Sequence, residues 1–258
     1  MISTMYIGSG DVHALMMGKD TKGHLALLQR FVSDVIPYYN AKASPIDALR
    51  TGAILEDRFY LTLPDGYFPQ FVVRSDEMDV FKCSIDFAKL DGGKVVDFDE
   101  LKTMSFNDYL MEVEPIKDDN DALLAYLRKK HKAYYYQVQE QLFCTHLDAC
   151  NLVFLSVLSY DDAENEAREI KPNEYCRVRV PRDEKAISQI KERGMIFQQL
   201  KDCYENTNCC KQCVFFSKSM SFCLYHEKTT EKQQKSCTKY SLDFNDLKNR
   251  CEQIINKK

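Results

Sequence analysis

Two short stretches of this chain carry charged side chains at a spacing that suits a divalent cation. Cys83-Ser84-Ile85-Asp86 reads as a strand ending on an acid, and Val95 to Lys102 as a second strand bearing Glu100-Leu101-Lys102. Between them, Asp91-Gly92-Gly93-Lys94 is a turn signal. Side chains two apart on a strand share a face, so Glu100 and Lys102 project together and the hairpin can bring Asp86 beside them. Two carboxylates and an ammonium at one spot can hold a hard cation and a water against a phosphodiester. Taken singly, an acid-x-lysine triplet is common by chance, and a charged strand face is ordinarily solvated.

Three further elements could join such a site. Glu56 lies in Gly52-Ala53-Ile54-Leu55-Glu56-Asp57, among apolar residues that predict a partly buried helix. A carboxylate there is costly unless paired or metal-bound; the plainer reading is an exposed acid beside Arg58. The block Arg128-Lys129-Lys130-His131-Lys132 leads into Tyr134-Tyr135-Tyr136-Gln137-Val138-Gln139-Glu140-Gln141. Positive charge at a helix start opposes the helix dipole unless an anion offsets it, and phosphates are the natural anion; the alternative is a solvated helix face. Gln137 shares a face with Tyr134 and Gln141. Lastly, Ser9 and Gly10 in Ile7-Gly8-Ser9-Gly10-Asp11-Val12-His13 could offer backbone N–H groups to a phosphate, or Ser9 could be a simple N-cap.

The elements that must position these residues follow from periodicity. Helices are expected over 23–36, from Ser44-Pro45 through Phe59, over 104–112, from about 121 to 147 and from Asp183 to about 206. Strands are expected over 68–74, 78–87, 94–102, 151–158 and 175–180, with Pro64-Asp65-Gly66 a turn and 160–173 a loop. Helices around a central run of strands predict an α/β (α+β) class with a mixed sheet. Residues 1–206 would form this domain.

Composition bounds the rest. The 258 residues suffice for one sizeable core; 45% are hydrophobic and 29% charged, as in a soluble globular protein. No apolar run reaches bilayer length, and Met1-Ile2-Ser3-Thr4 lacks the features of a secretory signal, so no membrane association and a cytoplasmic location are expected. The net charge of −4 excludes a protein that coats DNA through bulk positive charge, but not one with a local basic groove. The eleven cysteines crowd toward the C-terminus. Cys210-x2-Cys213-x9-Cys223-x13-Cys237 has the form of a four-thiolate site, with Cys209 and His226 as rival ligands. Thiolates select Zn²⁺, or a [4Fe–4S] cluster as the alternative, over hard cations. So small a core needs a metal for its folding energy, so residues 207–258 read as a metal-binding tail with a final helix over 244–255.

The order and spacing of these elements resemble the YqaJ-type viral recombinase exonucleases, the phage lambda exonuclease family within the PD-(D/E)XK nuclease superfamily. Residues 7–13 resemble the family's I-T-A-S-x-V-H opening, Gly52 to Glu56 its G-x-x-x-E helix, Cys83 to Asp86 its S-P-D strand, Glu100 to Lys102 its E-L-K strand, and Tyr134 to Gln139 its Y-x-x-Q-x-Q helix. The resemblance spans about residues 5–205. It implies a restriction-endonuclease-like core that hydrolyses duplex DNA from its ends, 5′ to 3′, in phage recombination. Mg²⁺ or Mn²⁺ would be held by Asp86, Glu100, the Leu101 carbonyl and Glu56. Lys102 would orient or help deprotonate the attacking water, and Gln137 would position it. Ser9, Gly10, Lys129, Lys130, Lys132 and Tyr134 would meet DNA. A homotrimer and a single-strand annealing partner are implied by the same analogy. The chain departs from the pattern at Ile85 and Phe87, where the family has proline and glycine, and no arginine precedes Arg30. A structure-selective or nicking endonuclease, or a non-catalytic zinc-stabilised DNA-binding protein, stays open beside the exonuclease reading.

Overall fold

A computed structural model describes residues 6–33 and 47–207, with residue 253 and three two-residue strands in the tail. In chain order the elements are β1 (Ile7–Gly8), a 3-10 turn (Ser9–Asp11), α1 (Val12–Met16), α2 (Lys22–Ser33), α3 (Asp47–Tyr60), β2 (Tyr67–Arg74), β3 (Phe81–Asp91) and β4 (Lys94–Ser105). They continue with α4 (Phe106–Asp108), irregular helical turns to Ile116, α5 (Asn120–Lys130), α6 (Lys132–Thr145), β5 (Ala149–Val157), α7 (Asp162–Ala167), β6 (Tyr175–Pro181) and α8 (Glu184–Thr207). In the tail, β7 (Phe216–Ser217), β8 (Phe222–Cys223) and β9 (Lys228–Thr229) form a small antiparallel meander.

The class is the expected one: a six-stranded mixed sheet with helices on both faces. The β3–β4 hairpin closes through Gly92 (φ +55°) and Gly93 (φ +79°), both in the left-handed region that a two-residue turn between twisted strands requires. The antiparallel β3–β4 ladder runs only as far as Phe87 opposite Asp99. Beyond it β4 pairs in parallel with β5, from Asp99 opposite Asn151 to Ser105 opposite Val157. β2 flanks β3 along its other edge, so β1, which pairs in parallel with Phe81 and Lys82, occupies the edge that β4 has left. The two central strands therefore part just after Phe87 and Asp99.

Helices α1, α2, α5, α6 and α8 cover one face, burying Leu15, Phe31, Val138, Leu142, Ile190 and Phe197 against Phe98, Leu152 and Phe154. The other face carries a smaller cluster in which Leu55 and Phe59 of α3 meet Phe87, Leu101, Val153 and Leu155. Burial of β5 on both faces explains why Leu152 to Leu155 is a continuous apolar run rather than an alternating one. Among the described residues no helix is long and apolar enough to cross a membrane.

Several local expectations need correction. The single helix over 121–147 is two, broken at His131 (φ −121°, ψ 49°), whose ring is held by the Tyr126 hydroxyl at 2.8 Å and stacks on Tyr134. Arg128, Lys129 and Lys130 thus end α5 rather than open a helix, and there they favour the dipole instead of opposing it. The strand expected to stop at 102 runs to Ser105, and helical turns fill 106–116. The stretch 160–173 contains α7, capped by the Asp161 carboxylate on the Glu164 amide. Gly8, not Ser9, precedes the first helical turn, and the Asp11 carboxylate accepts its amide at 3.1 Å. Residues 34–46, Cys209, Cys210, Cys213, His226, Cys237 and the terminal helix expected over 244–255 (save residue 253) lie outside the described residues, as does the side chain of Cys223.

Gly194 fixes how closely α8 approaches the sheet. A Cβ there would overlap the ring of Phe81, which is fully buried and packed edge-on against Phe143 at 5.7 Å. Gly194→Val should destabilise the protein by about 2 kcal/mol or more, read as a lowered urea midpoint at unchanged m-value.

Candidate active site

Where β3 and β4 part, the backbone amide of Leu101 no longer bonds to a strand across the gap. It donates instead to Oδ2 of Asp86 at 2.8 Å. Asp86 thereby stands in the fork, near enough to Glu100 and Lys102 to feel the charge of both.

Glu100 is the centre of the arrangement. Its side chain is 1% exposed, and its Oε1 accepts from Lys102 Nζ at 2.7 Å and from Gln137 Nε2. Its Oε2 accepts from Gln141 Nε2 at 2.6 Å. Gln137 and Gln141 lie four apart on α6, on one helix face. The Gln141 amide also reaches the Ser84 carbonyl at 3.1 Å, tying α6 to β3 as well as β4. Gln139, two residues from either, points elsewhere: it caps the β6–α8 junction through Pro181 O and the Asp183 amide. The Lys102 ammonium lies 5.5 Å above the centre of the Tyr134 ring, a cation–π contact that fixes its direction.

Glu56 enters from α3 on the other side. It is half-buried, and its Oε1 accepts from Gln70 Nε2. The Gln70 carbonyl oxygen in turn accepts from Ser84 Oγ at 3.1 Å. Gln70 has φ +52°, a left-handed value that costs a non-glycine residue about 1 kcal/mol. It sits between the Pro69–Phe87 and Phe71–Ile85 pairs, opposite Asp86. Across that point the alternation of β3 slips: Cys83, Ile85 and Ala88 face the larger core, whereas Phe87 faces the smaller one. Pro69, just before Gln70, is the only local sign of the irregularity.

The electrostatics are those of an anion-rich cleft. Burial, then the Glu100 charge, pushes the Asp86 carboxyl well above the usual carboxylate range, with Lys102 and the Leu101 amide opposing. Burial also raises Glu56, against the Gln70 hydrogen bond and with the repulsion of Glu100. For Lys102, burial disfavours the charge, but Glu100 and Asp86 outweigh it and hold its pKa above the ordinary lysine value. Asp86, Glu100 and Glu56 offer hard oxygen donors within electrostatic reach of one another and of a single ammonium, although the three do not all come within 4.8 Å of one another. That donor set fits Mg²⁺ or Mn²⁺ and does not fit a thiophilic metal.

Of the residues expected to meet DNA, Lys129, Lys130 and Lys132 are exposed around the α5–α6 junction, and Tyr134 lies under Lys102. Ser9 is buried and Gly10 exposed in a turn packed against α6, where Asp11 takes the Gly8 amide and pairs with Arg30. On the opposite face a carboxylate not singled out by sequence, Asp99, is fully buried and satisfied by Asn151 at 2.7 Å and Arg177 at 3.0 Å. It is paired within the fold and stands apart from the fork.

No protein-family description matches the sequence, and no curated protein matches it. Solved structures do match. An alkaline exonuclease (LHK-Exo) from Laribacter hongkongensis superposes with a TM-score of 0.53 at 17% identity, covering 79% of this chain and 92% of that one. The same enzyme in complex with dAMP gives 0.52 at 17% identity over 78% and 91%. A phage-related exonuclease from Haemophilus somnus 129PT gives 0.49 at 14% identity over 76% and 95%. At these identities the likeness to LHK-Exo is one of fold.

The site's own geometry carries a prediction that needs no substrate. Lys102→Met leaves Glu100 buried without its cation and should cost about 3 kcal/mol in urea denaturation. The double variant Lys102→Met/Glu100→Gln removes both charges and should recover most of that loss.

Proposed function

We propose that this protein is a metal-dependent deoxyribonuclease that degrades duplex DNA from its ends. The observation that carries the reading is the fork of β3 and β4, where Asp86 takes the Leu101 amide and Lys102 pairs with Glu100, with Glu56 within electrostatic reach. The shared fold with LHK-Exo supports it, as does the order of motifs along the chain.

Asp86 and Glu100 would hold Mg²⁺ or Mn²⁺, with Glu56 and the Leu101 carbonyl completing the protein's share of ligands. The cation, when bound, lowers the pKa of water and offsets the charge that builds on the phosphoryl group. The protein's side chains supply the rest. Gln137 and Gln141 lock the Glu100 rotamer, so the carboxylate needs no reorganisation when substrate arrives. Lys102, its pKa held up by two acids, is a hydrogen-bond donor in the resting site. It orients water or a phosphoryl oxygen rather than waiting as a free base. Its direction is set by Glu100 on one side and the Tyr134 ring on the other. Lys129, Lys130 and Lys132, exposed at the α5–α6 junction, would meet the phosphates of a DNA backbone. Digestion 5′ to 3′, a role in phage recombination with a single-strand annealing partner, a trimeric assembly, and Zn²⁺ or a [4Fe–4S] cluster on Cys210, Cys213, Cys223 and Cys237 complete the proposal. These last rest on the family resemblance and on the cysteine spacing alone.

Glu100→Gln should lower Mg²⁺-dependent hydrolysis of linear duplex DNA by on the order of 10²–10³-fold, with far-UV circular dichroism unchanged. Closed circular duplex should resist the wild-type protein, because an end-dependent enzyme has nowhere to start; prompt linearisation of circles would identify an endonuclease instead. Proton and cation compete for Asp86, whose pKa is raised, so the Mg²⁺ concentration giving half-maximal rate should climb as pH falls. Gln70→Ala frees Glu56 and should raise that concentration about tenfold at fixed pH, with a smaller effect on the saturated rate.

A further inference from the structure

Behind the fork, on the α6 side of β3, lies a second group of ligand-type side chains that the proposed reaction does not use. Cys83 of β3 and Cys144 of α6 are free thiols, 0% and 3% exposed. Glu140, one helical turn before Cys144, is 0% exposed. One ligand atom from each of the three lies within 4.8 Å of the others. Cys144 Sγ donates to Glu140 Oε1 at 3.2 Å, while Oε2 is buried with no hydrogen-bond partner.

A carboxylate enclosed in this way is among the costliest groups a core can hold. The charges it senses, Glu100 and Asp11, are both negative and make its ionisation worse. Burial above all, then that repulsion, lifts its carboxyl to about 8, so an empty site must keep a proton on it near neutral pH. Even protonated, it leaves one oxygen without a partner. A cation between the three side chains would remove both costs.

We propose that Cys83, Glu140 and Cys144 form a structural site for a thiophilic divalent cation of the Zn²⁺ class, distinct from the hard-cation fork. Two sulfurs with a carboxylate are donors that prefer Zn²⁺ or Cd²⁺ to Mg²⁺. Zn–S and Zn–O lengths of about 2.3 and 2.0 Å place tetrahedral donors roughly 3.5 to 4 Å apart, so the present cluster closes onto an ion with small rotations. Glu140 can supply its second oxygen as the fourth donor. On binding, the two thiol protons and the Glu140 carboxyl proton leave for solvent. The ion would clamp α6 to β3 three residues before Asp86 and one residue before Gln141, holding the helix that presents the Glu100 donors. The proposal does not depend on the nuclease reading.

The test counts metal in the full chain. Wild type, Glu140→Gln and Cys144→Ala are purified from zinc-supplemented medium, and zinc per chain is measured by mass spectrometry. Each variant is expected to carry one zinc fewer than wild type, whatever the cysteine-rich tail retains. Equal content in wild type and in folded variants overturns the site. Should the variants not fold, anomalous diffraction from wild-type crystals at the zinc edge decides. A peak between the Cys83 and Cys144 sulfurs supports the proposal, and peaks only elsewhere, or none, overturn it.

Discussion

A carboxylate that is 1% exposed has to find donors, and the way Glu100 finds them organises much of this fold. Lys102 reaches it from the same face of β4, and Gln137 and Gln141 reach it from one face of α6. Removing Gln141 would leave the buried Oε2 unmet, at a cost of about 1–3 kcal/mol, whereas Oε1 has two donors. The constraint is reciprocal. Because α6 must present two amides to one carboxylate, its rotation and distance from the sheet are fixed by the site, and Val138, Leu142 and Phe143 then fill the core at the spacing that remains.

The parting of β3 and β4 makes room for this. Were the ladder continued past Phe87 and Asp99, the Leu101 amide would pair with a strand and Asp86 would have no donor at the fork. The parallel β4–β5 ladder supports the free end of β4, so Glu100 and Lys102 sit on a strand that is rigid on one edge and open on the other. An open edge inside a covered sheet is a place where a ligand can approach backbone and side chains together without unfolding anything.

Much of this was legible in the sequence because it rests on short-range chemistry. Gly92-Gly93 demands a tight hairpin, alternation places Glu100 with Lys102, and i, i+4 spacing places Gln137 with Gln141. What was not legible depends on distant partners. The break at His131 carries no proline or glycine; it follows from a ring held by Tyr126 and stacked on Tyr134, and it reversed the electrostatic reading of Arg128 to Lys130. The second amide on Glu100, from Gln141, could be placed on the right helix face but not assigned a partner. The two acids Asp99 and Glu100 are adjacent in sequence and equally buried, yet only the sheet shows that one faces Arg177 and Asn151 while the other faces the fork.

Gln70 shows why the least legible residue can sit closest to the chemistry. Regular alternation would turn successive side chains of β3 to fixed faces, and Asp86 would then be committed to one core or the other. A left-handed residue stands opposite that position on the neighbouring strand, where the buried face of β3 changes. The conformational cost, about 1 kcal/mol, is offset locally, since the displaced side chain bridges Glu56 and Ser84. Local sequence preference opposes such a residue, and the surrounding pairs of β2 with β3 hold it in place regardless. At the fork, local preference and global fold therefore conflict at Gln70, beside a charged side chain that must be turned out of the packing and toward a ligand.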